Sequence, residues 1–485
     1  MRFGVPETLA AAIMATVFLA NCATNPVTGG QDFVMMSEAD ELRLGQKASA
    51  EVGEEYKEYK DPELQRYLDR IGQKLARASH RPNIPYHFTV VDSPDINAFA
   101  LPGGYVYVTR GILAYLDSEA ELAAVVGHEI GHVTARHSVR QYSAATAAQI
   151  GASVVGIVVP ELGSGAAQGV IGTMSDALLK GYGRDHELEA DRLGAEYLAR
   201  TGYDPEAMIR VVGVLKDQEL FDAEIARAEG REPRAYHGLF ATHPDNDTRL
   251  QEVVGAARKY ASKNTAEGKD EYLRVVNGLV FGDSPSQGVV RGSDFYHAEL
   301  GFALQFPAGW QVKNHADRVQ AYSPARDALM EMRLIEKPQA TAADTMRQSL
   351  RLPGGTAIET GSVHGLPAAF ATYYQSSGRP VRAGIVLLGG KGYVIAGTAK
   401  SNAEFNRYSD NINTAIRSFH RITNEERQLA RPLRIKLYTA RKGDTFAGLA
   451  KVSPLGKNAE GYLRLMNSAY PRGEPVPGQT LKIVE

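Results

Sequence analysis

The pentapeptide His128-Glu129-Ile130-Gly131-His132 decides how this chain is read. Chance supplies roughly 0.02 matches to a His-Glu-x-x-His pattern in a chain of this length and composition, so a chemical role leads from the start. The flanks support it. Ser118-Glu119-Ala120-Glu121 has the form of a capping box opening a helix, and Leu122, Val125, Val126 and Ile130 continue an apolar helical face. On such a helix positions 128 and 132 lie about 40° apart and one turn up, so both imidazoles can reach one ion. Glu129 projects about 100° around, beside that ion and able to handle a proton.

A catalytic zinc takes three protein ligands and keeps one position open for water. Cys22 is the only cysteine, so a cysteine-built site or cluster is excluded and the third ligand must be a carboxylate or a histidine. The best candidate is Glu187, within His186-Glu187-Leu188-Glu189-Ala190-Asp191. Glu187 and Asp191 are four apart and share a helical face, so Glu187 can bind the ion while Asp191 accepts the far N–H of a ligand histidine. Glu189 points to the opposite side of that helix, and His137 and His186 are read as surface residues.

The rest of the composition is ordinary. Of 485 residues, 44% are hydrophobic and 23% charged, enough apolar material for about three domains. The charge balance of 54 basic against 56 acidic residues gives −2, which argues against nucleic acid as a partner. The N-terminus carries Arg2, then an apolar run from Thr8 to Ala20, too short to span a bilayer but sized for a signal peptide. Leu19-Ala20-Asn21-Cys22 resembles a lipobox, with Asn21 where a small residue is usual. The resemblance implies removal of residues 1–21 and a lipid on Cys22, holding the chain to the periplasmic side of the bacterial outer membrane.

Beyond residues 22–260 the style of the sequence changes. A polar stretch and the turn-rich Phe281-Gly282-Asp283-Ser284-Pro285 suggest a linker over 261–292. Residues 293–425 show short alternating runs such as Phe302-Ala303-Leu304-Gln305-Phe306 and close on a helix from Ala403 to Phe419. Residues 434–485 read as a small separate unit after Pro432. The apolar, glycine-rich Ala144–Lys180 stretch, broken by Pro160 and Gly163, reads as two short helices joined by a turn.

His-Glu-Ile-Gly-His followed by His-Glu-Leu-Glu-Ala-Asp resembles the gluzincin metallopeptidase family that includes HtpX, the CAAX prenyl protease, the mitochondrial Oma-type proteases and the BepA-like periplasmic lipoproteins. Asn25-Pro26-Val27-Thr28-Gly29, Asn97-Ala98-Phe99-Ala100-Leu101-Pro102-Gly103-Gly104 and Thr242-His243-Pro244 are similar to further family segments. Together they span about residues 22–260.

The resemblance implies one Zn2+ per chain on His128, His132 and Glu187, with Asp191 orienting a histidine and Glu129 as general base. It implies that His243 either stabilises the oxyanion or occupies the open metal position. It also makes Asn97, Ala98, Phe99 and Ala100 a sheet edge that pairs with an extended substrate. The implied function is a metalloendopeptidase acting on misfolded or stalled envelope polypeptides. The second reading is a cell-wall-tethered scaffold with a latent, histidine-plugged site.

Two further resemblances complete the expected α+β architecture. Residues 293–425, with Phe306-Pro307-Ala308-Gly309-Trp310, resemble a PsbP/Mog1-type α/β sandwich. Residues 434–485, with Gly443-Asp444-Thr445 and Pro477-Gly478-Gln479, resemble a βααβ LysM module, which implies peptidoglycan as a partner. The peptidase block is expected to be mainly helical with a small β-sheet.

Overall fold

The structure, a computed structural model, describes residues 22–144, 146, 182–228, 255, 258–260, 265–315 and 317–485, the side chains of Cys22, Ala23 and Phe33 excepted. Residues 1–21, nearly all of Ala144–Lys180, and Thr242-His243-Pro244 lie outside the described residues, as does the Cys22 side chain. The chain divides into two compact units: Met1–Leu279 together with Arg434–Glu485, and Val280–Leu433. Among the described residues no helix is long and apolar enough to cross a membrane.

The first unit begins with a hairpin of β1 (Cys22–Thr24) and β2 (Gln31–Phe33). Its turn is set by Asn25, whose side-chain oxygen accepts the N–H groups of Val27 and Thr28 at 2.8 and 3.0 Å. Helix α1 (Glu38–Glu55) is capped by Ser37, and α2 (Pro62–Arg77) by Asp61 with proline in its first turn. One face of α2 buries Leu64, Leu68, Ile71 and Leu75.

A three-stranded sheet follows, in the order β3 (His87–Val91), β5 (Tyr105–Thr109), β4 (Ala98–Leu101). Strand β3 runs parallel to β5 and β4 antiparallel to it, which leaves β4 at an edge. Gly104, at φ 92°, makes the turn between β4 and β5; a Cβ there would stand 2.2 Å from the Pro85 carbonyl oxygen.

Short helix α3 (Arg110–Leu113) leads to α4 (Glu119–Thr134), which carries both histidines of the central motif. Ser118 Oγ accepts the Glu121 N–H at 3.2 Å, while the Glu121 carboxylate accepts the Asp117 N–H at 2.7 Å. The capping box therefore closes one residue earlier than its usual form. The sequence suggests a one-sided apolar face, yet every residue of α4 is buried. The helix is central, with neighbours on all sides. At its C-terminal end the Arg81 guanidinium donates to the Val133 carbonyl at 3.0 Å, a cation where the helix dipole favours one.

Helix α5 (Arg184–Thr201), ended by Gly202 in the left-handed region, packs along α4, and α6 (Ala207–Ala228) packs beside it. The α4–α5 contact is unusually close. A Cβ on Gly131 would stand 3.0 Å from Ala190 Cα, and one on Gly194 would stand 3.1 Å from the His128 backbone nitrogen. Residues 261–292 are not the plain linker the sequence suggests. Helix α7 (Lys269–Val276) lies within them and packs on α2 and α4, with the buried Tyr272 hydroxyl donating to the Leu113 carbonyl at 2.6 Å.

The second unit is built on an antiparallel sheet in the order β9 (Gln311–Asn314), β10 (Arg318–Tyr322), β11 (Ala328–Ile335), β15 (Lys391–Ala399), β14 (Pro380–Leu388), β13 (Leu366–Tyr374), β12 (Glu359–Val363). Helix α8 (Ala342–Ser349) covers one face through Met346. Helix α9 (Asn402–Arg417) covers the other through Ile412 and Ile416. A smaller sheet joins β6 (Val289–Arg291), β7 (Asp294–His297), β8 (Phe302–Gln305) and β16 (His420–Arg421). Trp310 is buried in this unit's core.

Residues 434–485 return to the first unit as strand, helix, helix, strand: β17 (Leu433–Thr439), α10 (Phe446–Ala450), α11 (Ala459–Met466) and β18 (Thr480–Val484). Strands β17 and β18 pair antiparallel over a core of Phe446, Leu463 and Leu481. Its expected separateness is not observed. Phe221 of α6 meets Tyr462 and Tyr470 edge-on at 5.1 and 5.8 Å. The fully buried Lys482 places its ammonium 2.9 Å from Asp117 and donates to the Leu116 carbonyl, in the turn that feeds α4.

The close α4–α5 contact makes a defined expectation. Gly131→Val puts branched methyls against Ala190 and should destabilise the unit by about 1–3 kcal/mol. Calorimetric melting should show a lowered midpoint; an unchanged midpoint would mean that the helices do not need this approach.

Candidate metal centre

The close packing of α4 on α5 sets two pairs of side chains opposite each other. From α4 come His128 and His132, one turn apart; from α5 come Glu187 and Asp191, also one turn apart, and all four are buried. His128 Nδ1 lies 2.8 Å from Asp191 Oδ1. An ionised carboxylate only accepts, so His128 donates from Nδ1 and keeps its Nε2 lone pair for something else.

That nitrogen stands 3.0 Å from His132 Nε2 and 3.6 Å from a Glu187 carboxylate oxygen. The other Glu187 oxygen is 3.5 Å from His132 Nε2. A tetrahedral ion with bonds of about 2.0–2.1 Å has ligand–ligand edges of about 3.3–3.4 Å, and the three separations lie on either side of that length. Three basic atoms so close together in a buried place repel one another unless a cation joins them. His128, His132 and Glu187 can therefore hold a metal ion. Glu129 lies between these ligands in sequence and is buried; burial pushes the Tyr182 phenol up against a hydrogen bond with Ser138, and the Glu129 and Glu187 charges add to the rise.

Four neighbours were given no site role from the sequence. His137, read as a surface residue, is fully buried, with Nδ1 2.8 Å from His132 Nδ1. Glu189, read as facing away, accepts from His137 Nε2 at 3.0 Å and from Arg140 at 2.9 Å. Burial acts to raise the Glu189 pKa, but these two hydrogen bonds outweigh it and hold it at about 2. Tyr182 stacks on His132 at 4.0 Å. His186 is half-buried and stacks on His137 at 4.3 Å, its pKa lowered to about 4 chiefly by burial.

The reason for the misreading is a break in the helix. On a continuous helix His137 would sit about 140° around from His132. Arg136, however, takes φ 54°, and the chain turns helical again from 137. That left-handed residue, disfavoured for an arginine, is fixed by its own side chain, which donates to Glu41 at 2.8 Å and to the Met36 carbonyl at 3.0 Å. A signal for this turn is hard to find in the sequence, because no glycine or asparagine marks it.

Strand β4 borders the same place. A cavity of about 10 Å³ is lined by Ala100, Leu101 and Pro102 on one side and by His132 and Tyr182 on the other. Ala98 and Ala100 are buried, while Phe99 stacks on Tyr107 at 5.0 Å. Asn97 pairs with Thr109 at the start of the strand, its carbonyl accepting the Thr109 N–H at 3.0 Å.

Two histidines and a glutamate on one buried helix, met by a carboxylate from a second helix, define a metallopeptidase class of centre. Within that class, residues 62–257 match the model of peptidase family M48. The beta-barrel assembly-enhancing protease of Escherichia coli K12 is 29% identical over 267 residues, covering 54% of this chain and 52% of that protein. Its counterpart in Yersinia pestis is 34% identical over 218 residues, or 43% and 42% of the two chains. The mitochondrial metalloendopeptidase OMA1 of Arabidopsis thaliana is 35% identical over 147 residues, or 30% and 29%. The chain spans about half the length of the curated relatives it matches.

Among solved structures, cyanobacterial PsbP from Synechocystis is 17% identical with a TM-score of 0.22, covering 29% of this chain and 98% of that one. The Saccharomyces cerevisiae Ran-binding protein Mog1p is 11% identical with a TM-score of 0.21, covering 28% and 98%. Likeness at these scores establishes neither a shared fold nor a shared function.

Asp191→Ala removes the acceptor that fixes His128. Zinc affinity, measured by competition with a chromogenic chelator, should fall about 10–100-fold. Unchanged affinity would show that His128 needs no such partner.

Proposed function

We propose that the chain is a zinc metalloendopeptidase of the bacterial cell envelope that hydrolyses misfolded or stalled envelope polypeptides. The convergence of His128 Nε2, His132 Nε2 and the Glu187 carboxylate within 3.6 Å, beside edge strand β4, is the observation that carries this reading. Two neutral imidazoles and one carboxylate fit zinc better than a hard, oxygen-preferring cation. Zinc held there supplies Lewis acidity toward a carbonyl and lowers the pKa of a water to about 7.

The chain's own residues then divide the work. Glu129 takes the proton from the attacking water and delivers it to the leaving amine nitrogen. Asp191 keeps His128 in the tautomer that leaves Nε2 available. Residues Asn97–Ala100 offer main-chain groups to an extended segment, as in β-strand addition, so recognition depends little on side chains and suits unfolded polypeptides. The names of the bacterial relatives support the envelope setting. His243 acts either on the developing oxyanion or as an occupant of the open metal position.

A lipid on Cys22 would place the enzyme at the periplasmic face of the outer membrane. The βααβ order of residues 434–485 suits a LysM-type module that binds peptidoglycan.

Casein hydrolysis by the purified chain tests the central claim. Glu129→Gln should lower kcat by at least about 100-fold while zinc stays bound, since it removes the proton acceptor and keeps the ligands. Retained activity would overturn the role of Glu129. His243→Ala separates the two roles of that residue: activity rises if His243 occupies the metal position and falls if it stabilises the oxyanion.

A further inference from the structure

The two metal-binding histidines are held differently at Nδ1. His128 donates directly to Asp191, whereas the Nδ1 of His132 faces the Nδ1 of another imidazole, His137, at 2.8 Å. Two nitrogens at that distance share one hydrogen, and the next contact decides whose it is. His137 Nε2 lies 3.0 Å from Glu189 Oε2, and that oxygen also accepts from Arg140 Nη1 at 2.9 Å. An oxygen already accepting from a guanidinium is a carboxylate oxygen without a proton, so His137 Nε2 must carry the hydrogen.

His137 is fully buried, and a neutral imidazole carries a single hydrogen, which here sits on Nε2 toward Glu189. Its Nδ1 is then an acceptor, His132 Nδ1–H is the donor, and His132 Nε2 is left with a lone pair. That is the nitrogen aimed at His128 Nε2 and Glu187. The ring of His132 is also clamped by Tyr182, stacked 4.0 Å away.

We propose that His137 and Glu189, backed by Arg140, are positioning residues that fix His132 in its metal-binding tautomer through a two-step relay. The relay does for one ligand across an intervening imidazole what Asp191 does for the other directly. Its outer end is held as well: Arg140 Nε is 3.6 Å from Asp32 in the N-terminal hairpin, and Asp32 accepts from the Asn25 side-chain amide at 2.7 Å. Helix α5 thus supplies three carboxylates with three tasks, Glu187 toward the metal position, Asp191 behind His128, and Glu189 behind His137.

The inference rests on His132 being a metal ligand, so the test carries its own control. Zinc affinity of the full chain is measured by chelator competition for the wild type, His132→Ala, Glu189→Ala and Glu189→Gln, together with the melting midpoint of each zinc-free protein. Glu189→Ala should weaken zinc about 10–100-fold. Glu189→Gln keeps an acceptor for His137 and should recover part of that loss. The zinc-free midpoints of both variants should stay close to wild type.

Glu189→Ala with wild-type affinity would overturn the relay, and so would a loss that Glu189→Gln does not ease at all. If His132→Ala binds zinc as tightly as wild type, the metal-centre reading fails rather than the relay. Kinetics give a second readout: with zinc saturating, KM for casein should change less than kcat in Glu189→Ala, because the substrate edge is untouched.

Discussion

Everything at the metal centre depends on how closely two helices approach. Gly127 and Gly131 of α4 meet Gly194 and Ala190 of α5, where an added Cβ would stand 3.4 and 3.0 Å from the facing Cα atoms. Glycine inside a helix is unfavourable by about 1 kcal/mol relative to alanine, so α4 has two such losses within one turn. What offsets them is tertiary: the glycine faces let Glu187 and Asp191 stand within reach of His128 and His132. A Cβ on Gly131 would push Ala190 back by a few tenths of an ångström, already as much as the tolerance of about 0.2 Å on metal–ligand distances.

How legible this was from the sequence varied with the kind of geometry involved. His128, His132, Glu187 and Asp191 were assigned from spacing, because each pair sits four apart on one regular helix and helical periodicity is reliable. The structure brings all four together. Glu189 was read as facing away because it lies on the opposite side of its own helix from Glu187, and His137 was read as a surface residue because nothing in its local sequence places it near His132. Arg136 enters the left-handed region under the control of Glu41, nearly a hundred positions earlier in the chain. No local pattern encodes a turn imposed from so far away.

The same division holds for the larger architecture. The alternating runs of the second unit were readable as strands, since period-two patterning is local, and the closing helix differs from its expected bounds by one or two residues. Helix α7 was missed because its eight residues, following a polar stretch, look like a connector. Its apolar Tyr272, Leu273, Val275 and Val276 make sense only once α2 and α4 are there to receive them. Composition marked where residues 434–485 begin. It gave no hint that they dock on the peptidase, because docking depends on a buried lysine and on Phe221 fitting against the small surface of Gly461.

That lysine has a consequence for how the protein comes into being. Leu116 is 366 positions ahead of Lys482, its partner at the entrance to α4. At about 5–20 residues per second, the helix bearing the histidines leaves the ribosome roughly 20–70 s before the residue that fixes its entry turn. Through that interval Asp117 lacks its buried cation and the first unit is unfinished, while the whole of the second unit is being made. The order of synthesis therefore leaves the entrance to α4 unfinished until the last residues of the chain have emerged, a delay written into connectivity.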